Sequence, residues 1–143
     1  MDKKLNEVLA DLVIETHKLQ RLHWYVKGPD FFQAHLQLEE FYDQVSALVD
    51  EVAEVMLMCD MKPIATVKEY LDTTDIKESK GAFVTSKEAF AEVAKDFEHI
   101  LKLVKDVKKL AEEKELDVIS IKCDTYIEQV SKAVWMLKQR KQS

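Results

Sequence analysis

Glycine and proline are almost missing from this chain of 143 residues, which has two of each. So few chain breakers exclude a fold of many short strands and tight turns. Cysteine also occurs only twice, at Cys59 and Cys123, with no CxxC spacing. That rules out a disulfide framework and suits two buried thiols in a reducing compartment. No apolar run is long enough to span a bilayer. The opening Met1-Asp2-Lys3-Lys4 lacks a signal-peptide pattern, so the expected location is cytoplasmic, with no membrane partner. Positive charge is in deficit: 21 Lys and Arg face 27 Asp and Glu, for a net charge of −6. Such a body repels nucleic acid. What remains is 47% hydrophobic and 34% charged, the balance of a soluble helical protein with a real core. At this length one domain over residues 1–143 is the natural count.

Apolar periodicity predicts four long helices and one short one. Leu5, Val8, Leu9, Leu12, Thr16, Leu19, His23 and Val26 recur at helical steps until Gly28-Pro29. Asp30 then reads as an N-cap, with Gln33 as capping-box partner. A second stripe runs through Leu38, Phe41, Val45, Leu48, Val52 and Met56, and should stop near Asp60, before Pro63. Thr66-x-x-Glu69 opens a short helix over Val67 to Leu71. Thr85-x-x-Glu88 opens a third long one carrying Phe90, Val93, Ala94, Phe97, Leu101, Val104 and Leu110. After the acidic Glu112 to Asp117 segment comes a fourth, with Ile119, Cys123, Tyr126, Ile127, Val130, Val134 and Leu137. The expected fold is all-α, a four-helix bundle with a short helix in a long crossover.

The second helix carries the chemistry. His35 and Glu39 are four residues apart, as are Asp50 and Glu54, so each pair shares a face. Eleven residues separate Glu39 from Asp50, close to three turns but about 16 Å along the axis. One metal cannot touch both pairs within one chain. Two copies of the helix running antiparallel across a two-fold axis bring the pairs together, twice per dimer. Histidine with carboxylates is a ligand set for iron, manganese or zinc. The bland alternative is surface electrostatics, the usual meaning of an isolated i,i+4 pair. His23 lies on the buried stripe of the first helix, where a histidine is commonly a satisfied core residue.

The run His23-Trp24-Tyr25-Val26-Lys27-Gly28-Pro29-Asp30-Phe31-Phe32 leads to His35 and then to Asp50-Glu51-Val52-Ala53-Glu54. Lys62-Pro63, Thr66-x-Lys68-Glu69-Tyr70-Leu71 and Val134-Trp135-Met136-Leu137 follow. Together these motifs resemble the Dps family, the mini-ferritins also called DNA-binding proteins from starved cells. The resemblance covers nearly the whole chain. It implies a ferritin-like bundle assembled as a hollow homo-dodecamer. It also implies a ferroxidase that oxidises Fe(II), often with hydrogen peroxide, stores ferric iron and protects against oxidative stress. Carried over residue by residue, the iron ligands are His23, His35 and Glu39 of one chain with Asp50 and Glu54 of its partner. Trp24 would lie near the iron and trap stray oxidising equivalents, a role compatible with that of an aromatic packing anchor.

This chain departs from the family pattern at several points. Relatives usually have Asp at the Glu39 position, often Arg where Val55 stands, and commonly Gly-Gly where Asp60-Met61 stands. An acidic pore position of the family holds Ile121, with Glu112, Glu113, Glu115 and Asp117 nearby as another source of negative field. Asp96-x-x-His99 has di-iron spacing but lacks the companion motif, and His99 is expected at the surface. His17 sits one position off the stripe, structural or exposed; Met56, Met58 and Met61 suit packing. The alternative function is a nucleoid protein that binds and protects DNA. Only the short Lys3-Lys4 and Lys138, Arg140 and Lys141 ends offer phosphate contacts, which speaks against it. A purely structural helical oligomer would leave the two histidines and three acids unexplained.

Overall fold

The computed structural model describes residues 1–140; Lys141 of the basic C-terminal end lies outside them. The elements run α1 (Asp2–Tyr25), β1 (Val26–Lys27), α2 (Phe31–Met58), α3 (Val67–Thr73), β2 (Val84–Thr85), α4 (Ser86–Glu113) and α5 (Asp117–Gln139). The four long helices and the short one in the connection match the expected ferritin-like bundle.

Two helical hairpins make the bundle. α1 packs along α2 and α4 along α5, while α1 also lies on α4 and α2 on α5. β1 and β2 form a parallel ladder, Val26 beside Val84 and Lys27 beside Thr85. It sets the end of α1 against the start of α4, so these two helices run antiparallel. Ser86 Oγ donates to Asp30 Oδ2 at 2.6 Å, placing the start of α2 at the same end. α2 and α4 therefore run parallel, and the chain must return the length of the bundle between them. That return is the crossover holding α3.

The predicted α2 stripe is the core: Leu38, Phe41, Val45, Leu48, Val52 and Met56 are all buried. Phe41 meets Phe90 and Phe97 of α4 edge-on, at 6.5 and 5.3 Å between ring centroids. Thr66 and Glu69 form the full capping box of α3, and Thr85 caps α4 through Glu88 N. Leu101, Leu110 and Ile127 are only partly buried; Ile100, Leu103, Val107 and Ala111 fill the α4 face instead.

Local expectations need correction at Val26, Asp30, Cys59 and Met58. Val26 leaves the helix for the two-residue ladder, an outcome set by Val84, far away in sequence. Asp30 stands at the N-cap of α2 but makes no side-chain cap bond, because Oδ2 accepts from Ser86 and Arg140. Those bonds, the serine first, lower its pKa. Cys59 is only half-buried, whereas Cys123 is buried as expected, and burial pushes its thiol up to about 11. Of the methionines, Met56 is in the core, Met61 packs against it, and Met58 is exposed.

Candidate metal centre

Two histidines from different helices meet face to face. His23, in the last turn of α1, and His35, in the second turn of α2, stack with ring centroids 3.6 Å apart and planes 12° from parallel. Each ring binds the other's backbone: His23 Nδ1 lies 2.7 Å from His35 O, and His35 Nδ1 lies 2.7 Å from His23 O. A carbonyl oxygen can only accept, so both Nδ1 atoms must donate. In the neutral rings, both Nε2 atoms then keep their lone pairs. Metal-binding histidines are commonly fixed in this way, by a hydrogen bond from the other ring nitrogen. Phe31 stacks on the His35 ring at 4.9 Å, adding an apolar wall. His23 is buried and His35 half-buried.

Glu39 follows His35 by one turn on α2. Its Oε1 lies 3.9 Å from His23 Nε2, the ring nitrogen that makes no bond to the backbone. Tyr42 donates its O–H to the same oxygen at 3.4 Å and presents its ring edge-on to His23 at 5.4 Å. Burial of the phenol and the acids Glu39 and Asp43 raise the Tyr42 pKa, keeping it a donor. The structure thus brings His23, His35 and Glu39 together.

Asp50 and Glu54 are not part of that cluster. Both are exposed, four residues apart on α2. The Glu54 pKa is raised, chiefly by a hydrogen bond with Asp50 and then by its charge. Two carboxylates held this close favour sharing a proton or a cation. Among the described residues no three His, Cys, Asp or Glu side chains of one chain are arranged to hold a metal alone. Trp24 is 54% exposed beside the site, edge-on to the exposed His17 at 6.4 Å.

A second polar cluster escaped the sequence reading. Asp11, Glu15 and Lys18 line a buried face of α1, against Asp96 of α4. Asp11 accepts from Thr74 Oγ1 at 2.6 Å and from Asp75 N at 2.9 Å, while its other oxygen lies 3.0 Å from His99 Nε2. His99 is therefore no plain surface residue; it is half-buried against the Asp11 side chain. Lys18 Nζ lies 2.8 Å from Asp96 Oδ2 and donates to Lys77 O at 2.7 Å. Arg21 adds a bond to Ser79. These contacts strap the crossover to α1. Glu15 is wholly buried, and neither of its oxygens meets a well-directed partner. Burial, then the neighbouring Asp96, pushes its pKa well up. The only sequence signal was the 4-then-3 spacing from Asp11 through Glu15 to Lys18, a second stripe beside the apolar one.

The ferritin-like domain family matches residues 2–141. DNA protection during starvation protein 2 of Bacillus anthracis is 36% identical over 135 residues, covering 94% of this chain and 91% of that one. The chain belongs to the Dps family of ferritin-like proteins. Its fold overlays antigen TpF1 of Treponema pallidum with a TM-score of 0.96, at 30% identity, over 99% of this chain and 91% of that one. A Dps protein from Bacillus brevis gives 0.94 at 31% identity, over 99% and 94%. A Dps protein of Vibrio cholerae, a ferritin-like diiron-carboxylate protein, gives 0.94 at 27% identity, over 99% and 88%.

Seen as a Dps chain, the departures acquire structural meaning. Val55 is buried in the core, so an apolar contact stands where a charge is frequent. Asp60 adopts φ 59°, the left-handed region that glycine favours and aspartate tolerates. Ile121 is an exposed apolar side chain on the first turns of α5. Glu112, Glu113, Glu115 and Asp117 are exposed at the α4–α5 turn, with Glu112 3.7 Å from Lys108.

Proposed function

We propose that this Dps protein is an iron-sequestering ferroxidase. His23, His35 and Glu39 would hold Fe(II) together with the partner subunit's Asp50 and Glu54, and a homo-dodecameric shell would store the ferric product. The reading is carried by the reciprocal histidine clasp, which leaves two imidazole lone pairs beside one carboxylate. The complementary donors, Asp50 and Glu54, lie about 16 Å or more along the same helix, with no ion pair to any described cation. Exposed apolar residues on α2 and α3, namely Phe32, Leu36, Leu57, Val67 and Leu71, supply a face for the partner.

Nitrogen and carboxylate donors together suit Fe(II), and their negative charge favours Fe(III). Two Fe(II) ions give one electron each to hydrogen peroxide, which takes up two protons and leaves as two waters. No hydroxyl radical need form. Trp24, which follows His23 in the chain and is exposed, would give an electron to a stray oxidant. The shell and its site together protect the cell from oxidative stress. Relatives are named for DNA protection, but the net charge of −6 and the engagement of Arg140 by Asp30 and Ser86 favour iron chemistry over DNA contact.

The test combines size with activity. Light scattering should give twelve subunits, and His35→Ala should leave the shell intact while slowing Fe(II) oxidation by peroxide at least about tenfold. A monomer, or a His35→Ala shell as fast as wild type, would end this reading.

A further inference from the structure

Glu39 is the one donor of the histidine half-site that packing does not fix. Its side chain is 46% exposed and has three rotatable bonds. Unrestrained, such a carboxylate samples many rotamers and prefers water. Tyr42 supplies the missing restraint. It lies three residues on, on the same face of α2, where side chains meet. Its O–H reaches Glu39 Oε1 at 3.4 Å, and its ring edge meets His23 at 5.4 Å. The ring itself packs against the hydrophobic core, so the phenol is held independently of the bond it makes. One side chain thus touches a donor from α2 and a donor from α1. Accepting this hydrogen bond uses one lone pair of Oε1, the oxygen nearest His23 Nε2, and leaves its other lone pair and Oε2 for an ion.

We propose, on the site assigned above, that Tyr42 is a positioning residue for Fe(II). It turns the long arm of Glu39 toward His23 Nε2, so that imidazole and carboxylate meet the ion as a preformed pair. Tyr42 touches no iron; it acts through Glu39. Its removal therefore weakens Fe(II) capture more than it slows the oxidation that follows, because bound iron would itself complete the ordering of the carboxylate.

Tyr42→Phe, Glu39→Ala and the double variant test this in the assembled shell. Phenylalanine keeps the ring and its packing, alanine removes the acceptor altogether, and a thermal melt checks that each shell is intact. Anaerobic calorimetry with Fe(II) gives the affinity, and the Fe(II) dependence of oxidation by peroxide gives half-saturation and maximal rate. Tyr42→Phe should weaken Fe(II) binding about three- to tenfold, the range of one lost hydrogen bond. Half-saturation should rise by more than the maximal rate falls. In the Glu39→Ala background, Tyr42→Phe should add nothing further. If Glu39→Ala weakens binding but Tyr42→Phe does not, or if the two losses multiply, Tyr42 does not act through Glu39 and the proposal falls while the site stands. If Glu39→Ala binds Fe(II) as wild type does, the site assignment fails, and the proposal with it.

Discussion

Mixing two inactive shells should restore activity. His35 and Asp50 are fifteen residues apart on α2, about 22 Å along a straight helix. A metal–ligand bond is about 2.0–2.2 Å, so no single ion reaches both in one chain. His35→Ala and Asp50→Ala should each suppress Fe(II) oxidation, since each removes a donor from every site. When the two variants are dissociated, combined in equal amounts and reassembled, about half of the two-fold dimers are mixed. Each mixed dimer has one site with both defects and one with neither. About a quarter of all sites are then whole, and the oxidation rate should recover to about a quarter of wild type. Wild type treated in the same way with the double variant provides the control for exchange. Its rate should fall from about half to about a quarter of wild type, because mixed dimers of that pair contain no whole site. Stopped-flow absorbance of ferric product reads both numbers. A control that falls as expected, with single-variant shells that recover nothing, would refute a site shared between chains.

Two further outcomes follow from charge. The raised Glu15 pKa means that the folded protein holds this proton more tightly than the unfolded chain, whose ordinary value is 4.5. The contribution of this group to stability is then greatest below that value and falls as pH rises toward the folded pKa, by about 1.4 kcal/mol for each pH unit crossed within the window. Glu15→Gln, neutral throughout, should melt higher than wild type at pH 8 and lose that advantage near pH 4; equal melting at pH 8 would show that the buried carboxyl carries no such cost. In a gel-shift assay at neutral pH and physiological salt, the assembled protein should not retard DNA, and retention that persists as salt is raised would contradict the charge argument.

Features governed by local spacing could be read from the sequence. The α2 stripe follows the helical period, and the Thr66–Glu69 capping box closes within one turn. The grouping of His23 with His35 and Glu39 came from family motifs, and the fold sets them side by side. What the sequence hid depends on partners far along the chain. Asp30 is drawn from its cap by Ser86 and Arg140, 56 and 110 residues away. His99 points away from the α4 stripe, yet it finds Asp11 on α1, because two packed helices enclose more surface than either apolar stripe marks out. Which histidine nitrogen stays free is equally invisible in sequence, since it is decided by a backbone carbonyl of the opposite helix.

The placement of the donors has a consequence for synthesis. Every proposed ligand lies between His23 and Glu54, inside the α1–α2 hairpin, so the ribosome has made all of them before α3 begins. Hairpins of neighbouring helices form through local contacts and form fast. A fragment ending at Met58 would carry all of the donors, but its Phe41 would lack Phe90 and Phe97, and the α2 core stripe would lack its cover. Such a fragment could capture a metal, or a second fragment, in the wrong geometry. α4 and α5 cover that stripe only when they emerge, so the proposed sharing of a site between chains requires complete chains.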